Sequence, residues 1–291
     1  MGRVNAAARN IIFGYIGNLT TQLLGFVLRT IFIQHLGQTL NGVNALYTGI
    51  LSVLSMAELG IGTALNYSLY KPVIHKDYEK IKSYMLLYKK AYRIIGFVVA
   101  GIGLVIVPFL PYLVKQPQGV TLRDLTLYYL IFLFNTVSSY FVAYKYSLVN
   151  AEQKNYIQTN IITVTKMITV MLQIIVILTT GNFYAYLLTA ATVELLQKIF
   201  VSRYLNNMYP YLKEKDIKPL TKEEVGEVVK KTKALVLHKV GDVARLQTDA
   251  MIISGFINVT LSGIVDNYNL VISSVSNFVN IIFNSVLSSF G

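Results

Sequence analysis

From Ile94 to Val114 the chain carries no charged side chain, and seven further stretches come close to the same pattern. A bilayer core is about 30 Å thick and a helix rises about 1.5 Å per residue, so roughly 20 apolar residues make one crossing. Backbone polar groups find no water inside the bilayer, which leaves helices as the elements such runs can form. Eight crossings are read, about Asn10 to Ile33, Gly42 to Leu65, Ile94 to Val114, Leu125 to Val149, Tyr156 to Thr179, Phe183 to Tyr204, Leu235 to Ile257 and Gly263 to Phe290. The expected fold class is all-α, a polytopic transmembrane helix bundle of about eight spans. With 54% hydrophobic and only 14% charged residues, a water-solvated surface cannot be built, and a soluble globular enzyme is excluded.

The 26 basic residues outnumber the 14 acidic ones, a net charge of +12 that in a soluble protein would point to nucleic acid. Their placement points elsewhere. Nineteen fall at one side of the proposed spans, in the N-terminus and the stretches Lys71 to Arg93, Lys145 to Lys154 and Arg203 to Lys233, against Lys115 and Arg123 on the other side. Basic residues near span ends resist translocation, so the N-terminus is expected on the cytoplasmic side of a multi-pass membrane protein. Membrane lipids, not nucleic acid, are then the expected partners of these charges. Twenty-one Tyr and no Trp leave tyrosine to form the interfacial aromatic belt.

No cysteine is present, and His35, His75 and His238 have no metal-ligand spacing, so no metal and no other cofactor is expected. The outer loops are too short to carry polymerase or ligase chemistry, and no catalytic residues are assigned; the chain is not read as an enzyme. Three sections are expected: a six-helix transmembrane lobe over 1–205, a cytoplasmic linker over 206–234, and the start of a second lobe over 235–291. Thr221-Lys222-Glu223-Glu224 forms a capping box that opens an amphipathic helix in the linker, either interfacial or solvated.

Two polar stripes cross the apolar background. Asn18, Gln22, Gly25 and Arg29 lie at offsets 0, 4, 7 and 11, one helix face, and His238, Asp242, Arg245 and Asp249 repeat that spacing in the seventh span. Ionisable groups at membrane depth cost at least about 2.5 to 3.5 kcal/mol each, so the stripes either line a polar cavity or join helices through ion pairs. Glu58 in the second span has the same two readings. Lys166 and Lys198 are expected to snorkel toward the cytoplasmic face, and His35 to lie in a loop. Gly17-Asn18 aligns with Gly241-Asp242 at an offset of 224. After an outer loop shorter by three, Leu40-Asn41-Gly42-Val43 and Tyr47 align with Leu261-Ser262-Gly263-Ile264 and Tyr268. Spans seven and eight would thus restart the pattern of spans one and two as a parallel repeat, and the chain reads as part of a longer transporter.

Particular residues carry a family likeness. Arg29-Thr30-Ile31-Phe32 with Leu36-Gly37, Ala57-Glu58-Leu59-Gly60-Ile61-Gly62-Thr63-Ala64 and Tyr67-Ser68-Leu69-Tyr70-Lys71-Pro72 resemble the polysaccharide transporter family of bacterial flippases. So do Asn150-Ala151-Glu152-Gln153-Lys154-Asn155-Tyr156, His238-Lys239-Val240-Gly241-Asp242, Thr248-Asp249, Asn267-Tyr268 and Ser288-Ser289-Phe290-Gly291. That family belongs to the multidrug/oligosaccharidyl-lipid/polysaccharide exporter superfamily, with the multidrug and toxin extruders and the lipid II flippase.

The resemblance implies a complete first six-helix lobe and the first two helices of a second, placed in the bacterial cytoplasmic membrane. It implies export of O-antigen, capsule or teichoic acid units on undecaprenyl diphosphate by alternating access, with polysaccharide synthesis proteins as partners and a proton or sodium ion for coupling. Members have more spans than this chain. On that reading Arg29 and Arg245 contact the diphosphate, while Asn18, Gln22, Glu58, His238, Asp242 and Asp249 line the cavity. Two alternatives stand beside it. One is an ion-coupled multidrug or small-molecule antiporter of the same superfamily, although the first span lacks the carboxylate such a site would use. The other is a non-transporting scaffold of polysaccharide synthesis.

Overall fold

The computed structural model of the protein describes residues 2–58, 61–115, 119–214 and 217–290, and their side chains except at 2–11, 56, 57, 63, 234, 236–247 and 277–290. Among the described residues every regular element is helical: α1 (Gly2–Leu54), α2 (Ile61–Ile74), α3 (Tyr78–Ile106), α4 (Leu110–Leu113), α5 (Leu122–Ala151), α6 (Asn155–Thr180), α7 (Phe183–Met208), α8 (Lys222–Phe256) and α9 (Val259–Phe290). Among the described residues five runs are long and apolar enough to cross a membrane: Ile12–Leu54, Tyr78–Leu113, Leu122–Ala151, Asn155–Thr180 and Phe183–Met208. Large apolar side chains such as Phe97, Ile102, Ile175 and Leu196 face outward along them, as a bilayer-facing surface requires. The protein is a multi-pass membrane protein.

The run Ile12–Leu54 is two passes. At Gly37 the backbone takes φ 85° and ψ 168°, a setting open essentially only to glycine. In a straight helix Arg29 and Asn41 would stand about 18 Å apart, yet the Arg29 guanidinium donates to the Asn41 amide oxygen, so the chain doubles back between them. The second pass also departs from the expected unbroken Gly42 to Leu65 span. The α-helix stops at Leu54, a 3-10 turn covers Ser55–Glu58, and helix resumes at Ile61. Such a break survives at membrane depth only where neighbours satisfy the freed polar groups. Here the Tyr140 phenol donates to Ser55 Oγ at 2.8 Å, and Tyr92 hydrogen-bonds Glu58.

Buried side chains form two clusters, one toward each end of the bundle. At the end poor in basic residues Leu46, Tyr47, Leu125, Tyr129, Ile177 and Phe183 pack together; at the basic end Leu65, Leu69, Tyr88, Leu148 and Leu205 do so. The buried phenols are answered by backbone: Tyr47 donates to the Leu125 carbonyl at 2.9 Å and Tyr129 to that of Gly103 at 3.0 Å. α1 packs on α6, α3 on α5, and α5 and α6 on α7, while α8 and α9 dock on α1, with α8 also against α2. The outward face shared by α3, α5 and α7 is thereby left on the side away from α9.

The linker is tied to the basic end. Lys82, only 3% exposed, is held by Glu79 at 2.5 Å and Glu214 at 2.7 Å, and Ser83 donates to the Lys218 carbonyl at 2.5 Å. The capping box at Thr221 forms in both directions, and α8 runs on from it without interruption to Phe256. Val228 is buried against the basic-end cluster, and Glu224 pairs with Lys80. That ammonium, with the Thr221 backbone N–H, holds the Glu224 carboxyl below the usual carboxylate range.

Lys198 does not snorkel. It is buried between α5 and α7, where Nζ donates to the Asn135 carbonyl at 2.9 Å, Asn135 Oδ1 at 2.6 Å and Ser138 Oγ at 2.9 Å, with Glu194 at 3.9 Å. Position along a helix could not tell this from snorkelling, because the neighbours that solvate the ammonium sit 60 residues and more away in sequence. Membrane hydrogen bonds average about 0.6 kcal/mol, so Lys198→Met is expected to lower the unfolding free energy by about 2 kcal/mol, read from thermal unfolding in detergent. Lys166 is exposed on α6, whereas His35 belongs to the last helical turn before Gly37, its ring nitrogen 3.0 Å from the Ile31 carbonyl.

Candidate functional site

The α1 stripe ends in a cluster. Arg29 donates to Asp266 of α9 at 2.5 Å and to Asn41, and stands 3.5 Å from Asn267 Oδ1. Three amides close the group: Asn41 Nδ2 donates to the Gly263 carbonyl at 2.8 Å and to Asn267 at 3.2 Å, and Asn267 Nδ2 donates to Gln38 at 3.4 Å. Arg29 and Asp266 are 22% and 30% exposed, so the pair is neither dry nor freely solvated. Planar donors and amide groups in one cluster suit phosphate oxygens and sugar hydroxyls respectively.

Above this cluster α1 and α9 cross in contact with each other's backbone. A Cβ on Gly42 would fall 1.8 Å from the Val259 carbonyl oxygen, and one on Gly263 would fall 2.7 Å from the Gln38 oxygen. The Thr39 and Thr260 hydroxyls meet at 3.1 Å. Thr39 and Thr260 lie 221 positions apart, as do Gln38 and Val259 and as do Gly42 and Gly263, so the contacts of Gly42 with Val259 and of Gly263 with Gln38 are reciprocal. Reciprocal contacts of this form are those of a local two-fold crossing, here between α1 and α9. The same end is closed further by the Ser254 hydroxyl on the Leu113 carbonyl, 2.7 Å, and the Val259 N–H on that of Lys115, 3.2 Å.

The remaining stripe residues are placed unevenly. Asn18 is exposed, and Gln22 is partly buried, its side-chain oxygen finding no partner among the described residues. Among the described residues a Cβ at Gly25 would meet nothing within 4 Å. Asp249 is exposed on α8. His238, Asp242 and Arg245 lie on the α8 helix, but their side chains fall outside the described residues. Glu58 is partly buried at the broken second pass beside Tyr92, and among the described residues no member of the Arg29 cluster bonds to it: it belongs to a separate polar group with Ser55 and Tyr140.

Asp266, Asn41, Asn267 and Gln38 were not singled out from the sequence as site residues. Asp266 carried a usable signal, being a carboxylate inside an apolar run. The amides carried none, since uncharged polar residues are common in membrane helices. No cluster of three or more metal-ligating side chains occurs among the described residues.

No protein-family model matches the sequence, nor does any curated protein. Among solved structures the fold is similar to that of an inward-facing multidrug resistance MATE family transporter of the MOP superfamily, with a TM-score of 0.56 and 14% identity over 85% of this chain and 59% of that one. It is likewise similar to a MATE crystallised in complex with MaD3S, with a TM-score of 0.55 and 16% identity over 86% of this chain and 57% of that one. The chain spans less than two thirds of the length of each. The all-α membrane-bundle fold is thus that of the MATE transporters.

Proposed function

We propose that the protein works as a membrane transporter that moves undecaprenyl-diphosphate-linked oligosaccharide units across the bacterial cytoplasmic membrane by alternating access, with its N-terminus cytoplasmic. The observation that carries this reading is the Arg29 cluster: a permanently charged fork set among three amides, in the membrane, between α1 and α9. In the closed arrangement Asp266 occupies the fork. When α1 and α9 part, the fork is released and takes the diphosphate, while the amides bind sugar hydroxyls. The prenyl chain stays in lipid. A coupling proton or sodium ion would act through carboxylates such as Glu58, Asp249 or Asp266. Polysaccharide synthesis proteins would supply and consume the cargo.

The multidrug antiporter reading shares the same fold and is separated by its cargo. The full-length protein is to be expressed in a strain whose own oligosaccharide flippase has been deleted. Restored surface polysaccharide with unchanged drug sensitivity is the expected result. Drug resistance without polysaccharide would replace this reading by the antiporter, and neither activity from a membrane-inserted protein would leave a scaffold.

A further inference from the structure

A cavity of about 670 Å³ opens at the basic end of the bundle, on the face shared by α3, α5 and α7, well away from the Arg29 cluster. Among the described residues five cations line it, Lys82, Lys89, Arg93, Lys145 and Lys213, against the one carboxylate of Glu214. Lys82 is already satisfied by Glu79 and Glu214. Lys145 is held by neutral acceptors only, the Ser202 carbonyl at 3.2 Å, Ser202 Oγ at 2.8 Å and Asn206 Oδ1 at 2.9 Å. Among the described residues no carboxylate comes within ion-pair distance of Lys89, Arg93 or Lys145. Three uncompensated charges therefore converge in a half-enclosed site with a partly apolar wall, which raises their mutual repulsion and favours an anion between them.

The site continues into an apolar surface. Lys82, Leu86, Lys89, Arg93 and Phe97 fall at offsets 0, 4, 7, 11 and 15 on α3, one face running from the basic end into the membrane. At its deep end Phe97, 67% exposed, makes an edge-to-face contact with Phe141 of α5, which also lines the cavity. Cations at headgroup level above exposed aromatic rings match a molecule with phosphate at one end and hydrocarbon at the other.

We propose that this groove binds the headgroup phosphate of an anionic phospholipid of the phosphatidylglycerol or cardiolipin class, with an acyl chain lying against Phe97 and Phe141. The site is independent of what the protein transports. Because Glu214 reaches into the groove from the linker, the bound phosphate competes with it for Lys82 and couples lipid binding to the tether between the two repeat halves.

The test uses the full-length protein in neutral detergent and counts retained lipid by native mass spectrometry during titration with phosphatidylglycerol. Lys89→Ala/Arg93→Ala/Lys145→Ala is expected to weaken binding about a hundredfold, at roughly fivefold per cation. Lys222→Ala/Lys230→Ala/Lys231→Ala removes the same charge elsewhere and should leave binding within about threefold. Lys89→Glu/Arg93→Glu leaves Lys145 and its bonds to Ser202 and Asn206 in place and must also lose binding, which covers a triple variant that fails to fold. Equal loss in groove and control variants, or no loss in either, overturns the proposal. Inorganic phosphate at millimolar concentration should not displace the lipid; full displacement would make this a site for free phosphate. Undecaprenyl diphosphate binding the same residues more tightly than phosphatidylglycerol would overturn the phospholipid assignment in favour of a cargo site.

Discussion

Gly42→Ala is expected to push α1 and α9 apart at their crossing. The added carbon would sit 1.8 Å from the Val259 carbonyl oxygen and 2.7 Å from its carbon, where ordinary contact begins near 3.4 Å. Both obstacles are backbone, so no side-chain rotation relieves them and the helices must separate by about 1.5 Å or more. The protein contains no cysteine, which makes the separation directly measurable. In the otherwise unaltered chain Thr39→Cys/Thr260→Cys replaces two hydroxyls 3.1 Å apart and is expected to form a disulfide readily under mild oxidation. Adding Gly42→Ala should reduce the cross-linked fraction at least tenfold. Undiminished cross-linking would mean that the two helices do not meet through these glycines. If the crossing opens during transport, the disulfide should also arrest polysaccharide export, with recovery on reduction.

Arg29→Met is expected to destabilise the protein more than Arg29→Met/Asp266→Leu does. Removing the guanidinium alone leaves the Asp266 carboxylate and the Asn41 oxygen without their donor. Breaking a fully buried pair in this way costs about 3–5 kcal/mol; at 22% and 30% exposure water recovers part of that, and about 2 kcal/mol is expected here. The double variant replaces both charges by apolar groups and should regain about 1 kcal/mol or more, giving a positive coupling energy in a double-mutant cycle followed by thermal unfolding. Export separates structure from function. On the proposed reading the stable double variant exports nothing, since the fork that takes the diphosphate is gone. Normal export by it would reduce Arg29 and Asp266 to a packing pair and remove the main support for the lipid-linked cargo.

Much of this was legible in the chain. Helical passes follow from apolar length, the face shared by Asn18, Gln22 and Arg29 from the helical period, and the Thr221 cap from a four-residue pattern. Gly42 and Gly263 stood out in the sequence as aligned positions, and their contact in the structure supplies the reason both are glycine. What escaped were relations between distant segments. Arg29 was read as a diphosphate contact or one half of an ion pair, with no partner named on α9; Asp266 lies 237 residues on, and only the crossing of α1 and α9 brings them together. Lys198 was read as interfacial because depth along a helix does not report what α5 offers it. The second pass was read as continuous because its residues are apolar on both sides of the Ser55–Glu58 turn.

By itself, then, the sequence determined an all-helical membrane bundle, the uneven distribution of basic charge between its ends, and the polar face of the first pass. These depend on hydropathy, period and short-range capping, which act within a few turns of chain. The tertiary structure alone decided which charges neutralise one another, where two helices touch through glycine, and which cations converge on the α3, α5 and α7 groove. Inside a bilayer apolar side chains gain little by choosing one neighbour over another, so pairing is set by close packing and by polar groups that must find partners, and both are properties of the assembled bundle.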